Sequence, residues 1–246
     1  MRLKKITKNG KALILACDQG FEHGPIDFNI KNIDSKYIFD IALEGEYTAI
    51  AVQAGIADKY YHGKYRKIPL IVKLNAKTRF DDKDPVSYQH TTVEHAVKLG
   101  ASAVGYTIYL GSSKEQDMFR EFAKITEEAH KHGLASVCWM YPRGISIENE
   151  LDTGVLAYGA RIALELGADM VKLKYNNDLK GMEWVVKSAG ECKTVIAGGT
   201  KTSDEKFLKL VKDTLECGAV GLAVGRNVWQ HENPLKITRE IKKILF

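Results

Sequence analysis

The chain has 246 residues, 45% of them hydrophobic and 27% charged, which excludes a disordered polymer and leaves room for a large core. Thirty-six Lys and Arg against 31 Asp and Glu give a net charge of +5, spread along the chain, so charge points to no nucleic-acid partner but suits an anionic substrate. No apolar run approaches a membrane span, the charged start Met1–Ile6 opens no signal-like stretch, and the four scattered cysteines (Cys17, Cys138, Cys192, Cys217) form no C-x-x-C pair, so a cytoplasmic protein with free thiols is expected.

In chain order, short β-branched runs recur at 12–18, 48–54, 69–75, 102–108, 134–141, 169–175, 194–199 and 219–225, and read as strands. Helical stretches lie between them, for example 115–132, 152–166 and 203–217, the last with Ser203 as N-cap and Asp204 and Glu205 in its first turn. Steps such as Gly100-Ala101, Gly133-Leu134, Gly167-Ala168 and Gly218-Ala219 suit a helix C-cap just before a strand. Residues 55–67, with Tyr60, Tyr61, His62 and Gly63, give no clean helix, so a short irregular crossover is expected there. The chain closes with a helix over 233–246, Pro234 near its start. Eight strand–helix units in about 250 residues predict one α/β TIM (β/α)8 barrel spanning 1–246 as a single domain. Chemistry then belongs at the C-terminal strand ends.

Strand one ends at Asp18, a carboxylate aimed at a barrel mouth. Strand three carries Lys73 and Asn75 on one face, and strand four ends in Tyr106 to Ser112; these polar groups suit either a hydroxylated substrate or a solvated rim. Strand five ends with Trp139 and Tyr141 on a shared face by the period of two. Strand six is the most telling. In Val171-Lys172-Leu173-Lys174 the apolar residues face outward, so both lysines point into the barrel. Burial and a neighbouring cation disfavour the ammonium form, and a neutral amine is what attack on a carbonyl requires. Lys172 lies deeper, so it is the expected nucleophile; the bland alternative is a lysine paired with a barrel carboxylate. After strands seven and eight come Gly198-Gly199-Thr200-Lys201 and Gly225-Arg226-Asn227, where glycine N–H groups, cations and a short helix can hold phosphate.

At these residues the chain resembles the archaeal-type class I fructose-1,6-bisphosphate aldolases, within the Schiff-base TIM-barrel aldolases. The likeness runs nearly end to end through ACDQGFEHGP (16–25), VKLNAKT (72–78), GYTIYLGS (105–112), WMYPRG (139–144), ARIALELGADMVKLKY (160–175), IAGGTKT (196–202) and AVGRNVWQ (223–230). The resemblance implies Lys172 as Schiff-base lysine, Tyr141 as general acid/base, Trp139 as active-site tryptophan and Asp18 as strand-one aspartate. It implies phosphate sites at Gly198, Gly199 and Lys201 and at Gly225 and Arg226, with Lys174 adding charge at the mouth, and no metal or other cofactor. It also implies a phosphorylated sugar substrate and a high-order homo-oligomer, often a decamer. Gln19 stands where many members carry His, Ala197 where many carry Ser, and Thr200 where Pro is common.

Sister groups leave alternatives open. One uses the same lysine and tyrosine to make 2-amino-3,7-dideoxy-D-threo-hept-6-ulosonate, and another handles a phosphorylated signalling molecule; Glu22-His23-Gly24-Pro25 resembles the sugar-bisphosphate aldolases better than either. A metal-dependent aldolase would want histidines gathered at strand ends, whereas the seven here fall mostly in helices or loops. A non-catalytic phosphometabolite-binding barrel would keep the glycine loops and need no inward lysine.

Overall fold

A computed structural model describes residues 2–80 and 83–246. Eight strands pair in parallel, each with the next in sequence, and the last closes on the first. They are β1 (Ala12–Ala16), β2 (Ala49–Gln53), β3 (Leu70–Lys73), β4 (Ala103–Tyr109), β5 (Ala135–Tyr141), β6 (Met170–Leu173), β7 (Lys193–Ala197) and β8 (Gly221–Val224). The helices are α1 (Gly20–His23), α2 (Ser35–Glu44), α3 (Ala54–Tyr60), α4 (Val93–Lys98), α5 (Glu115–Lys131), α6 (Thr153–Glu165), α7 (Leu179–Ser188), α8 (Asp204–Glu216), α9 (Arg226–Trp229) and α10 (Pro234–Leu245). This is the eight-unit barrel that the alternation predicts. No helix of the described residues is long and apolar enough to cross a membrane.

The period of two sorts the strands into two apolar shells. Ile14, Ala51, Ile71, Val137, Trp139, Met170 and Val195 fill the interior. Leu13, Val72, Val171, Leu173 and Leu222 pack outward against the helices. Gly100, Gly133, Gly167 and Gly218 all have positive φ (67–87°), as expected of residues that end a helix and turn the chain into a strand. Ser203 caps α8 by accepting from the Lys206 N–H.

The expectation for residues 55–67 needs correction. They form α3 and then a 3-10 turn, Gly63–Lys67. Tertiary packing supplies what local propensity lacks: Phe39 gathers the rings of Tyr60, Tyr61 and Tyr65 at 6.3, 6.4 and 5.2 Å. The strands also stop short of the apolar runs. Asp18, Asn75, Lys174 and Gly199 lie past the last paired residue, where the splaying barrel mouth ends the ladder.

The N-terminal end of the barrel is plugged. A 3-10 turn, Arg2–Lys5, leads to Ile6, which joins the interior cluster. Arg2 donates through Nη2 to Asp169 Oδ1 (2.8 Å), and the Ser136 N–H donates to Oδ2 (2.9 Å), where His130 Nε2 also sits at 2.8 Å. Burial alone would raise the Asp169 carboxyl, but Arg2, Ser136 and His130 outweigh it and hold it below the ordinary value. A depressed carboxyl contributes stability above its unfolded value of about 3.9 and loses it as pH falls through the folded one. Asp169→Ala is therefore expected to cost about 1–3 kcal/mol at pH 7, with kcat unchanged and the gap from wild type closing below about pH 4. Denaturant titrations between pH 7 and 3 measure this.

Candidate active site

At the opposite end, a cavity of about 350 Å³ opens among the strand ends, within the size range of small-molecule sites. Its wall includes Asp18, Glu22, Lys73, Trp139, Tyr141, Arg143, Lys172, Lys174, Gly198, Gly199, Gly225 and Arg226. Nine of the ten site residues that the resemblance implies thus line one space, Lys201 being the exception.

The centre is built on β5 and β6. Trp139 pairs in register with Lys172, and its indole lies inside the barrel, 1% exposed. Lys172 Nζ sits 5.1 Å from the centre of that ring. Room for the ring comes from β4: a Cβ on Gly105 would overlap Trp139 Cζ3 and lie 2.6 Å from Cη2. The φ of Gly105 is not positive, so the requirement is steric. Gly105→Ala is expected to destabilise by about 1–3 kcal/mol and, by tilting the indole beneath Lys172, to lower kcat about 10- to 100-fold. Thermal unfolding and steady-state kinetics check the two parts separately.

Tyr141 ends β5 with its ring 4.7 Å from the Arg143 guanidinium carbon. Burial raises its phenol above the ordinary value, while the charge of Lys172 works in the other direction. Asp18 lies just past β1, its side chain 10% exposed.

The neighbour of Lys172 differs from the expected one. Lys174, beyond the end of β6, leans to the rim and ion-pairs with Glu150, which also accepts from Arg143 Nε (2.9 Å). Burial lowers the Lys174 ammonium pKa, and Glu150 opposes this. The second buried cation is Lys73 on β3, 5.5 Å from the centre of the same indole. Its Nζ donates to the Asn75 carbonyl (3.1 Å) and stands 3.9 Å from Asp18 Oδ2. Burial pulls the Lys73 ammonium down to about 8; Asp18 and Glu22 resist, and Lys172 adds to the fall. Lys73 shares the inward face of β3 with Ile71, so the alternation that exposed the β6 lysines exposes this one too.

Asn75 turns out to be structural. It is fully buried, donates to the Ser87 and Thr107 carbonyls (2.9 and 2.8 Å) and accepts from the Thr107 N–H (2.7 Å), extending the β3–β4 contact past the ladder. Glu22 at the rim, near Arg143 and Tyr109, carried no sequence signal beyond its motif.

The glycine loops after β7 and β8 are brought together and stapled. Asn227 donates to the Gly198 and Thr200 carbonyls (2.7 and 2.9 Å) and accepts from the Thr202 N–H (2.9 Å). Gly225 precedes α9, and Gly199 has φ of +70° with open space where a side chain would stand. Arg226 faces the cavity with Asp27 3.7 Å away. Lys201 corrects the expectation: it does not line the cavity, is exposed, and donates to the Gln230 carbonyl (2.7 Å). The turn after Gly199 carries its side chain to Gln230, at the C-terminal end of α9.

The family model for the DeoC/LacD family aldolases matches residues 12–231. A class 1 fructose-bisphosphate aldolase of Thermoproteus tenax is 48% identical, the match covering 99% of this chain and 93% of that protein. One of Halobacterium salinarum is 42% identical, covering 98% and 92%. A solved archaeal fructose 1,6-bisphosphate aldolase whose catalytic lysine is covalently bound to the carbinolamine intermediate of its substrate superposes with a TM-score of 0.93 at 47% identity, covering 99% of this chain and 97% of that one. With a closed eight-stranded parallel barrel, a buried interior lysine and matches over nearly its whole length, the chain belongs to the class 1 fructose-bisphosphate aldolases of the DeoC/LacD aldolase family.

Proposed function

We propose that residues 1–246 act as one domain that reversibly cleaves fructose 1,6-bisphosphate to dihydroxyacetone phosphate and glyceraldehyde 3-phosphate through a Schiff base. The observation that carries this is the Lys172 amine, buried on the interior of β6 against Trp139 and open to a cavity with anion-binding loops at one side. Lys172 Nζ attacks the C2 ketone, and the carbinolamine loses water to give an iminium. The iminium accepts the electron pair of the breaking C3–C4 bond, so the route needs no metal ion. Tyr141 takes the C4 hydroxyl proton as the aldehyde leaves. The enamine is then protonated at C3, and water releases the ketone from Lys172.

Asp18 is assigned the carbinolamine proton transfers, and Trp139 keeps water from the amine. Gly198, Gly199, Gly225 and Arg226 hold one phosphate by backbone N–H groups and a guanidinium fork. Fixing that end turns binding into orientation of the ketone over Lys172. Lys174 adds charge at the rim once Glu150 releases it.

The same reading places the protein in a reducing cytoplasm, where Cys17, Cys138, Cys192 and Cys217 stay free thiols. It also makes it a homo-oligomer of the decameric kind, and Tyr158 and Trp184, exposed on the adjacent helices α6 and α7, offer apolar surface for another copy.

The test is borohydride reduction in the presence of dihydroxyacetone phosphate, read by peptide mass. A covalent adduct on Lys172, together with chelator-resistant cleavage of fructose 1,6-bisphosphate, is the expected result. An unmodified Lys172, or activity lost to chelator, overturns the reading. Aspartate semialdehyde as acceptor is expected to be the poorer substrate; the reverse would favour the sister activity.

A further inference from the structure

We propose that Lys73 and Asp18 form a two-point clamp on the substrate hydroxyl next to the ketone carbon, on the side away from the phosphate, which makes Lys73 a specificity-determining residue. The inference rests on the aldolase reading of the site.

Lys73 is an ammonium with three donors, buried at the end of β3. The hydrogen bond to the Asn75 carbonyl occupies one of them. Asp18 Oδ2, at 3.9 Å, is too far for a direct hydrogen bond. That gap has a use. Groups 3.9 Å apart can both lie about 2.8 Å from one oxygen set between them. A hydroxyl satisfies both at once, accepting from Lys73 and donating to Asp18. A carbonyl or phosphate oxygen could accept from Lys73 but has no proton for the carboxylate. The pair therefore selects an alcohol.

The position in the barrel says which alcohol. The anion-binding loops follow β7 and β8, and the attacking amine is on β6. In an eight-stranded barrel, β3 stands across the lumen from β7. A ketose phosphate anchored at β7–β8 and joined to Lys172 thus directs its non-phosphorylated side toward β3. The first polar group it presents there is the hydroxyl on the carbon adjoining the ketone. A clamp on that hydroxyl also fixes the rotation about the carbon–carbon bond that sets which face the enamine exposes.

The experiment compares two donors, dihydroxyacetone phosphate and hydroxyacetone phosphate, which lacks only that hydroxyl. The readouts are borohydride trapping at Lys172 and kcat/KM for condensation with glyceraldehyde 3-phosphate, in wild type, Lys73→Met and Lys73→Gln. A charged donor on a buried hydroxyl predicts about a 10- to 100-fold loss with dihydroxyacetone phosphate in Lys73→Met. Less than about a threefold change is expected with hydroxyacetone phosphate, since the site then has no hydroxyl to miss. Retained trapping with the second donor is at once proof of folding. Equal losses with both donors, in either variant that retains the wild-type unfolding transition, overturn the clamp and make Lys73 merely structural or electrostatic. If wild type is trapped by neither donor, the Schiff-base reading itself has failed, an outcome distinct from failure of the clamp.

Discussion

Lys172→Met is expected to reduce kcat by about 10⁴-fold or more and to abolish borohydride trapping, with the fold intact. Methionine nearly matches the lysine stem in length and is apolar, so the contact with Trp139 survives the change. Lys172 is 6% exposed, and burying a polar amino group in such a place burdens the folded state. The thermal midpoint of the variant should therefore equal or exceed that of wild type. Loss of turnover with no loss of stability is the signature of a residue kept for chemistry. Phosphate-site binding of the substrate should persist, because the β7 and β8 loops are untouched. A variant that still traps a ketose phosphate on Lys73 or Lys174, at a wild-type rate, would move the nucleophile to that lysine.

Tyr141→Phe is expected to lower kcat for cleavage by about 10²- to 10⁴-fold while leaving formation of the Schiff base with dihydroxyacetone phosphate within a few-fold of wild type. Burial raises this phenol, so it is protonated through neutral pH and enters condensation as an acid, giving its proton to the aldehyde oxygen. Cleavage demands the reverse, and positive charge at Lys172 favours the phenolate. A cationic iminium on that nitrogen would thus make Tyr141 a better base at the step that needs one. Single-turnover kinetics separate the two phases. If trapping and cleavage fall together, Tyr141 serves imine formation rather than the C4 proton.

Legibility from sequence followed regular structure. Lys172 is readable because a strand alternates strictly and a polar amine on its inner face has nowhere else to go, whereas Lys174, one residue past the strand, leans to Glu150 at the rim. Lys73 obeys the same rule, but as the last residue of its strand it could equally have pointed along a solvated rim, and only the closed barrel decides between them. The placement of Lys201 outside the cavity is not legible, because the direction of a side chain after a Gly-Gly turn depends on φ and ψ at one or two residues, which composition does not encode. Glu150, which holds both Lys174 and Arg143, lies on a loop with no period to read. Helix α3 was missed because its stability comes from Phe39, on a helix that precedes it by a whole strand. The partnership of Arg2 with Asp169 spans 167 positions, beyond the reach of any local pattern.

That last contact bears on the order in which the chain can mature during synthesis. Arg2 leaves the ribosome well before Asp169, its carboxylate partner 167 residues later, and β1 waits longer still for β8 to complete its second edge. At about 5–20 residues per second, residues 2–6 spend on the order of ten seconds or more without their final neighbours. Residues 2–6 are therefore a late seal on the barrel rather than a nucleus for it, made before β8 yet settled only after it.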